Sequence, residues 1–213
     1  MTCVIFDIDG TLVDSAGFED RLYVAALREV LGSVSIRSEF REFEHVTDSG
    51  ILREICSENG IDIQDCEYKV RTRFGELLSE ELTQNPSCVP IPGAVTFVQK
   101  LRSIPKFELG IATGGWGHSA RMKLARAGFN VDDVPFASSD DGHERVRIME
   151  RCRSQMSAAQ TVIYVGDGEW DMKATEILGW RFIGIGERLR GRCKDWIPDF
   201  LEVDLHQMFC ELP

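Results

Sequence analysis

Asp7 and Asp9 flank a single residue, Ile8, directly after the apolar run Cys3-Val-Ile-Phe6. That run is short, uniformly apolar and rich in β-branched and aromatic residues, so it reads as a buried strand. Side chains at i and i+2 of an extended chain leave on the same side. Two carboxylates are therefore held together at the carboxyl end of a strand, and Gly10 and Thr11 turn the chain away. Like charges this close repel, and a divalent cation removes the conflict; a hard oxygen donor set suits Mg²⁺. A second acidic pair, Asp167 and Asp171, follows another apolar run, Thr161-Val-Ile-Tyr-Val165. Spaced i and i+4, the two share a face if they lie on one helical turn. Acids also suit a helix N-terminus, which is the structural alternative. Thr113, followed by Gly114 and Gly115, ends a third apolar run, Phe107 to Ala112. A hydroxyl beside exposed backbone N–H groups can hold a phosphoryl oxygen.

Strands alternating with helices must position these groups. Phe107–Ala112, Val134–Ser138, Thr161–Val165 and Arg181–Ile185 join the first run as expected strands. Helical spacing is expected after Gly93, around Met122, Leu124 and Ala125, from Arg145 to Met156 and from Met172 to Leu178. Such alternation implies an α/β fold of right-handed βαβ units on a parallel sheet, with ligands beyond the carboxyl ends of the strands. Between Asp14 and Asn85 the pattern is helical instead: Phe18 to Leu31, a second segment over Glu39–Glu44, a third starting at Thr47 and Asp48 and stopping at Gly60, and a fourth from Asp65 to Leu82. Pro86, Pro90 and Pro92 close this insert. The expected division is a discontinuous core, 1–14 and 88–213, with an inserted helical domain over 15–87.

The stretch Asp7-Ile-Asp9-Gly10-Thr11-Leu12-Val13-Asp14-Ser15 resembles the first motif of the haloacid dehalogenase-like (HAD) superfamily of phosphohydrolases. Thr113 resembles the second motif, and Gly166-Asp167-Gly-Glu-Trp-Asp171 the fourth. The third motif of that family supplies a Lys, often in Lys-Pro. Here Ser138-Ser-Asp-Asp-Gly-His-Glu-Arg145-Val-Arg147-Ile148 offers arginines, and Arg145 fits the register of a subgroup resembling phosphoglycolate phosphatases. The pieces from Thr47 to Ile55, Thr113-Gly114 and Ser139-Asp140 point to the same subgroup, which does not fix a substrate.

What the resemblance implies is a Rossmann-like core with a mobile helical cap that closes over the site. Mg²⁺ is expected on the Asp7 carboxylate, the Asp9 backbone carbonyl and Asp167, with Asp171 directly or through water. Asp7 is the expected nucleophile, carrying an aspartyl-phosphate, and Asp9 the general acid and base. Thr113, Gly114 and Arg145, with Gly10 and Thr11, are expected to hold the phosphoryl oxygens. Phe18, Arg21, His45, Thr47 and Arg53 are candidates to reach the substrate from the cap, and Trp116 and His118 from the core. Each has an ordinary reading as core, helix cap or solvated surface.

Composition narrows the partners. Of 213 residues, 43% are hydrophobic and 28% charged, as in globular proteins. The net charge of −11 argues against nucleic acid and anionic membrane surfaces, and no run approaches a membrane span. A small phosphorylated metabolite is still admissible, because a metal and local donors override the global field. The N-terminus shows no basic segment leading into an apolar one, and seven scattered cysteines without C-x-x-C spacing fit reduced thiols; cytoplasmic residence, as monomer or homodimer, is expected. The expected function is a Mg²⁺-dependent small-molecule phosphatase. Its rivals are a phosphomutase using the same residues and a non-catalytic binding protein of the same fold.

Overall fold

The chain's apolar runs become strands covered on both faces. The computed structural model describes residues 1–15, 17–85, 88–159 and 161–210. β1 (Thr2–Phe6) leads through the two-residue β2 (Val13–Asp14) into α1 (Glu19–Leu31), α2 (Asp48–Glu58) and α3 (Glu67–Gln84). The chain returns through β3 (Val89–Pro90), which pairs antiparallel with β2, so the helical segment leaves and rejoins through adjacent strands. There follow α4 (Ala94–Arg102), β4 (Phe107–Ala112), α5 (Gly117–Arg126), β5 (Phe136–Ala137), α6 (Arg145–Ser154), β6 (Thr161–Gly166), α7 (Glu169–Leu178), β7 (Arg181–Ile185), β8 (Trp196–Ile197) and α8 (Leu205–Cys210). Pro86 and the expected end of the insert at residue 87 lie outside the described residues.

Six strands form one parallel sheet in the order β5-β4-β1-β6-β7-β8. β1 is central, and its alternating side chains enter two cores. Val4 and Phe6 pack with Phe97, Leu101 and Phe200; Cys3 and Ile5 pack with Ile148, Met149, Cys152 and Ala174. Burying each large apolar side chain stabilises the fold by about 1.5–3 kcal/mol, which accounts for the apolar run from Cys3 to Phe6, while Thr2 at the strand's start is only half-buried. The register places Phe6 opposite Ile111 of β4 and Val165 of β6. The residues just beyond the three strand ends must therefore converge, since neighbouring strands lie about 4.8 Å apart.

Local departures from the sequence expectation have local causes. The helix expected over Glu39–Glu44 is a single 3₁₀ turn, Phe40–Glu42, because Phe43 turns into the core. The third expected strand shortens to Phe136–Ala137, after Pro135, which has no N–H to give a ladder. β8 was not expected; it is a two-residue edge just ahead of Pro198. Among the described residues, no helix is long and apolar enough to cross a membrane.

Candidate active site

Asp7 follows β1 directly, and its N–H donates to the Val165 carbonyl (2.9 Å). The Ile8 carbonyl then accepts from the N–H groups of Thr11, Leu12 and Val13, closing a tight turn. Gly10 sits in that turn with φ 74°, and a Cβ there would collide with the Asp167 carboxylate. Only glycine combines this backbone with so close an approach. β6 ends beside β1, so Asp167 arrives next to Asp7. Asp171 enters from the first turn of α7, where its Oδ2 accepts the Gly168 N–H (3.2 Å). Its other oxygen, Oδ1, is buried without a hydrogen-bond partner, 3.4 Å from Arg145 Nε. Asp171 thus caps its helix and faces the site with a second atom. A Cβ on Gly166 would come within 2.5 Å of Asp171 Oδ2, so that glycine clears the acid's approach.

One ligand oxygen each from Asp7, Asp167 and Asp171 lies within 4.8 Å of the others. Burial first, and then the Asp171 charge, pushes the Asp7 carboxyl up to about 7 against the opposing pull of Arg145. Burial and Asp7 take Asp167 to about 7, and Asp171 reaches about 6. Arg145 pairs with Asp7 and Asp171, and Arg188 with Asp167 (3.2 Å), yet all three carboxyls stay raised. An all-oxygen set of this kind, with one carboxylate oxygen lacking a hydrogen bond, fits a hard divalent cation such as Mg²⁺. The Asp9 carboxylate is outside this cluster, which leaves its backbone carbonyl as the donor it can offer there.

Asp9 instead faces a buried basic group absent from the sequence reading. Lys123 of α5 is fully buried; its Nζ donates to Asp9 Oδ1 (2.5 Å) and also to Glu19 of α1. Burial alone would lower the lysine pKa, but the two carboxylates outweigh it and hold it above its ordinary value. Burial pushes Asp9 up, yet Lys123 and the hydrogen bonds around it bring Asp9 below the usual carboxylate range. Glu19 is held well above it by burial and by Asp9. Ser15 Oγ lies 2.6 Å from Asp9 Oδ1 and 2.9 Å from Glu19 Oε2. A hydroxyl donates one proton, so the second of these contacts requires a carboxyl that donates. The raised Glu19 carboxyl favours the acid form there.

Arg145 starts α6 and is half-buried, with Nη1 3.3 Å from Asp7 Oδ1 and Nη2 donating to the Val46 carbonyl (3.2 Å). A Cβ on Gly114 would lie 2.6 Å from Nη2, so the guanidinium is packed over the Thr113-Gly114 loop. Thr113 is buried beyond β4, its Oγ1 accepting the Gly115 N–H (3.2 Å). Arg147 points away and pairs with Glu150 on the surface. Thr11 is fully buried, and its Oγ1 has no hydrogen-bond partner.

Besides Glu19 at the start of α1, the helical segment reaches the site through the start of α2. Thr47 caps α2, accepting the Gly50 N–H (3.1 Å) and donating to the His143 carbonyl (2.7 Å). The Asp48 N–H donates to the Gly114 carbonyl (2.8 Å), and the Trp116 N–H donates to Asp48 Oδ2 (2.8 Å). Ser49 and Ser139 meet at 2.6 Å between hydroxyls. The other expected contributors lie elsewhere. Phe18 is core, Arg21 pairs with Glu81, Arg53 is exposed, and His45 stacks its ring edgewise on His143 at 5.2 Å. Trp116 is buried against Tyr23 and Phe74, and His118 is exposed.

Lys123, Glu19 and Asp48 escaped the sequence reading. The buried stripe of α5 runs through Ala120, Lys123 and Leu124 and continues to Ala127 just past the helix end. A lysine three residues after one apolar stripe position and four before the next was the available signal.

A family model described as haloacid dehalogenase-like hydrolase matches residues 1–179. No curated protein matches the chain. Among solved structures, the chain is similar to a hydrolase from Pseudomonas syringae (TM-score 0.70, 20% identity, over 98% of this chain and 89% of that one). It is similar also to a β-phosphoglucomutase from Clostridium difficile (0.73, 15%, 97% and 94%). A third is a predicted phosphoglycolate phosphatase from Haemophilus somnus (0.65, 17%, 93% and 94%). At these identities the likeness shows the fold.

Proposed function

Since the chain belongs to the haloacid dehalogenase-like hydrolases, we propose that it is a Mg²⁺-dependent phosphatase releasing phosphate from a small phosphorylated metabolite through an aspartyl-phosphate on Asp7. The observation that carries this reading is the gathering of Asp7, Asp167 and Asp171 within 4.8 Å while Asp9 is held apart on Lys123. Four carboxylates with one task would be crowded together; here three form a cation cradle and the fourth is wired to a proton store.

Asp7, Asp167 and the Asp9 carbonyl would hold the metal, with Asp171 beside them; bound there, Mg²⁺ supplies charge screening between an anionic ester and an anionic nucleophile. Asp7 attacks phosphorus. Arg145, the Thr113 hydroxyl and the Gly114 amide hold the equatorial oxygens where charge spreads in the transition state. The leaving alkoxide takes a proton from Asp9, which receives it from Glu19 through the Ser15 hydroxyl. Asp9, ionised again, removes a proton from water, and that water opens the aspartyl-phosphate at phosphorus. The transfer from Glu19 to Asp9 runs along contacts already in place, Glu19 to Ser15 and Ser15 to Asp9. Residues 15–87 act as a cap: the β2/β3 pair is its stem, and α2 is the element that touches the phosphate loop. Closure excludes water from the reacting groups.

The test is p-nitrophenyl phosphate hydrolysis with Mg²⁺, with EDTA, and in Asp7→Asn. Activity is expected in the first alone; turnover in EDTA, or full activity in the variant, refutes the reading. A phosphomutase would isomerise a sugar phosphate without releasing phosphate, which a separate incubation with a hexose phosphate, followed for isomeric product and for free phosphate, distinguishes.

A further inference from the structure

The phosphatase reading leaves open what alcohol departs, and the face around Gly115 addresses it. The point a Cβ on Gly115 would occupy lies 3.7 Å from Asp48 Oδ2, 3.7 Å from Thr113 Oγ1 and 3.8 Å from Asp9 Oδ2. Oδ2 is the oxygen of Asp9 that Lys123 and Ser15 do not use, since both take Oδ1. The face that receives the leaving oxygen is thus shared between the acid of the core and an acid brought by α2.

Asp48 is fixed there by its own backbone. Its N–H is bonded to Gly114, its carbonyl accepts the Tyr23 hydroxyl (2.5 Å), and the preceding Thr47 is tied to His143. The side chain is half-buried, and burial raises its carboxyl to about 7. The two cations whose charge reaches it, Lys123 and Arg145, already pair with core carboxylates: Lys123 with Asp9 and Glu19, Arg145 with Asp7 and Asp171. A second anionic group on the substrate would meet acids on this side, and the two cations beside them are already paired. A hydroxyl or an ammonium would find acceptors.

We propose that Asp48 sets substrate choice, selecting phosphate esters whose leaving alcohol carries a hydrogen-bond donor, a hydroxyl or ammonium, and rejecting those that carry a second anion. This rests on the phosphatase reading above. Placing like charges together across a binding surface is the ordinary device for excluding a wrong partner.

Three esters of matched size isolate the effect: 2-phosphoglycolate, 2-hydroxyethyl phosphate and phosphoethanolamine, with leaving groups that are anionic, neutral and cationic. At pH 8 with Mg²⁺, kcat/KM for both donor-bearing esters is expected to exceed that for 2-phosphoglycolate by at least about tenfold. Asp48→Asn keeps an acceptor for the Trp116 N–H and removes the charge. It is expected to raise 2-phosphoglycolate turnover about tenfold and to lower that of phosphoethanolamine, so that the preference between the anionic and the cationic ester narrows. Should the Asn variant fold poorly, the wild-type series alone decides. Preference for 2-phosphoglycolate in wild type, or an unchanged ratio in a folded Asn variant, overturns the role of Asp48 while hydrolysis of p-nitrophenyl phosphate keeps the phosphatase reading. No phosphate from any ester overturns that reading and this inference with it.

Discussion

Replacing Lys123 by Met removes the one cation that the Asp9–Glu19–Ser15 cluster encloses. Lys123 is fully buried, with Nζ 2.5 Å from Asp9 Oδ1. At an effective dielectric of 20, a unit pair at that separation attracts by about 7 kcal/mol, and desolvation of both ions takes back much of it. Truncating one partner leaves the other buried and uncompensated, at a cost of about 3–5 kcal/mol. For a chain of this length that lowers the melting temperature by the order of 10 °C. Urea unfolding at pH 7 reads the loss. The second variant, Asp9→Asn in the Lys123→Met background, removes the stranded charge and should restore most of it. Glu19→Gln alone should cost less than about 1 kcal/mol, because Gln mimics the protonated acid already there. The sign with pH is fixed as well. Asp9 is held below its unfolded value, so its pairing stabilises above the unfolded pKa and is lost as pH falls through the folded one. Wild type and Lys123→Met should therefore converge toward acid. A loss under about 1 kcal/mol, or no recovery on adding Asp9→Asn, would refute the charge count.

The metal cradle makes a second pH prediction of opposite sign. Asp7 and Asp167 are raised to about 7 and Asp171 to about 6, so without a cation their contribution is fully present below the unfolded pKa near 4 and is lost as pH rises through 6 to 7. The rise in melting temperature produced by Mg²⁺ over EDTA should grow from pH 5 to pH 8; a flat or falling increment counts against a cradle at these three acids. Arg145→Ala should lower kcat by about 10²–10³, the scale for losing a preorganised donor to transition-state charge, with Arg145→Lys recovering part of it; equal activity in wild type and Arg145→Ala would remove the residue from the phosphoryl site.

The parts of this site that the sequence disclosed are those fixed by strand ends. Asp7, Thr113 and Asp167 each follow an apolar run, and a parallel sheet with β1 between β4 and β6 leaves them nowhere to go but together. Arg145 was visible from its register at the start of α6, and the structure separates it from Arg147, which pairs with Glu150 instead. What stayed hidden depends on helix phase and on which loop a helix end meets. Of Met122, Leu124 and Ala125, expected on the inward side of α5, Leu124 is buried and Met122 packs against the core, but Ala125 is exposed and Lys123 is inside. A buried lysine contradicts the apolar pattern from which phase is read, and only its two partners, more than a hundred residues away, make the position favourable. Asp48 looked like a first-turn helix acid, which it is; its second identity follows from the docking of α2 on Gly114, a contact no local pattern encodes.

Rapid quenching of the enzyme during turnover of p-nitrophenyl phosphate with Mg²⁺, followed by borohydride reduction and peptide mapping, asks directly whether a carboxylate accepts phosphorus. The account predicts an acyl-phosphate whose reduction marks Asp7 and no other residue. Phosphorylation at another side chain, or steady release of phosphate with Asp7 never modified, would contradict it.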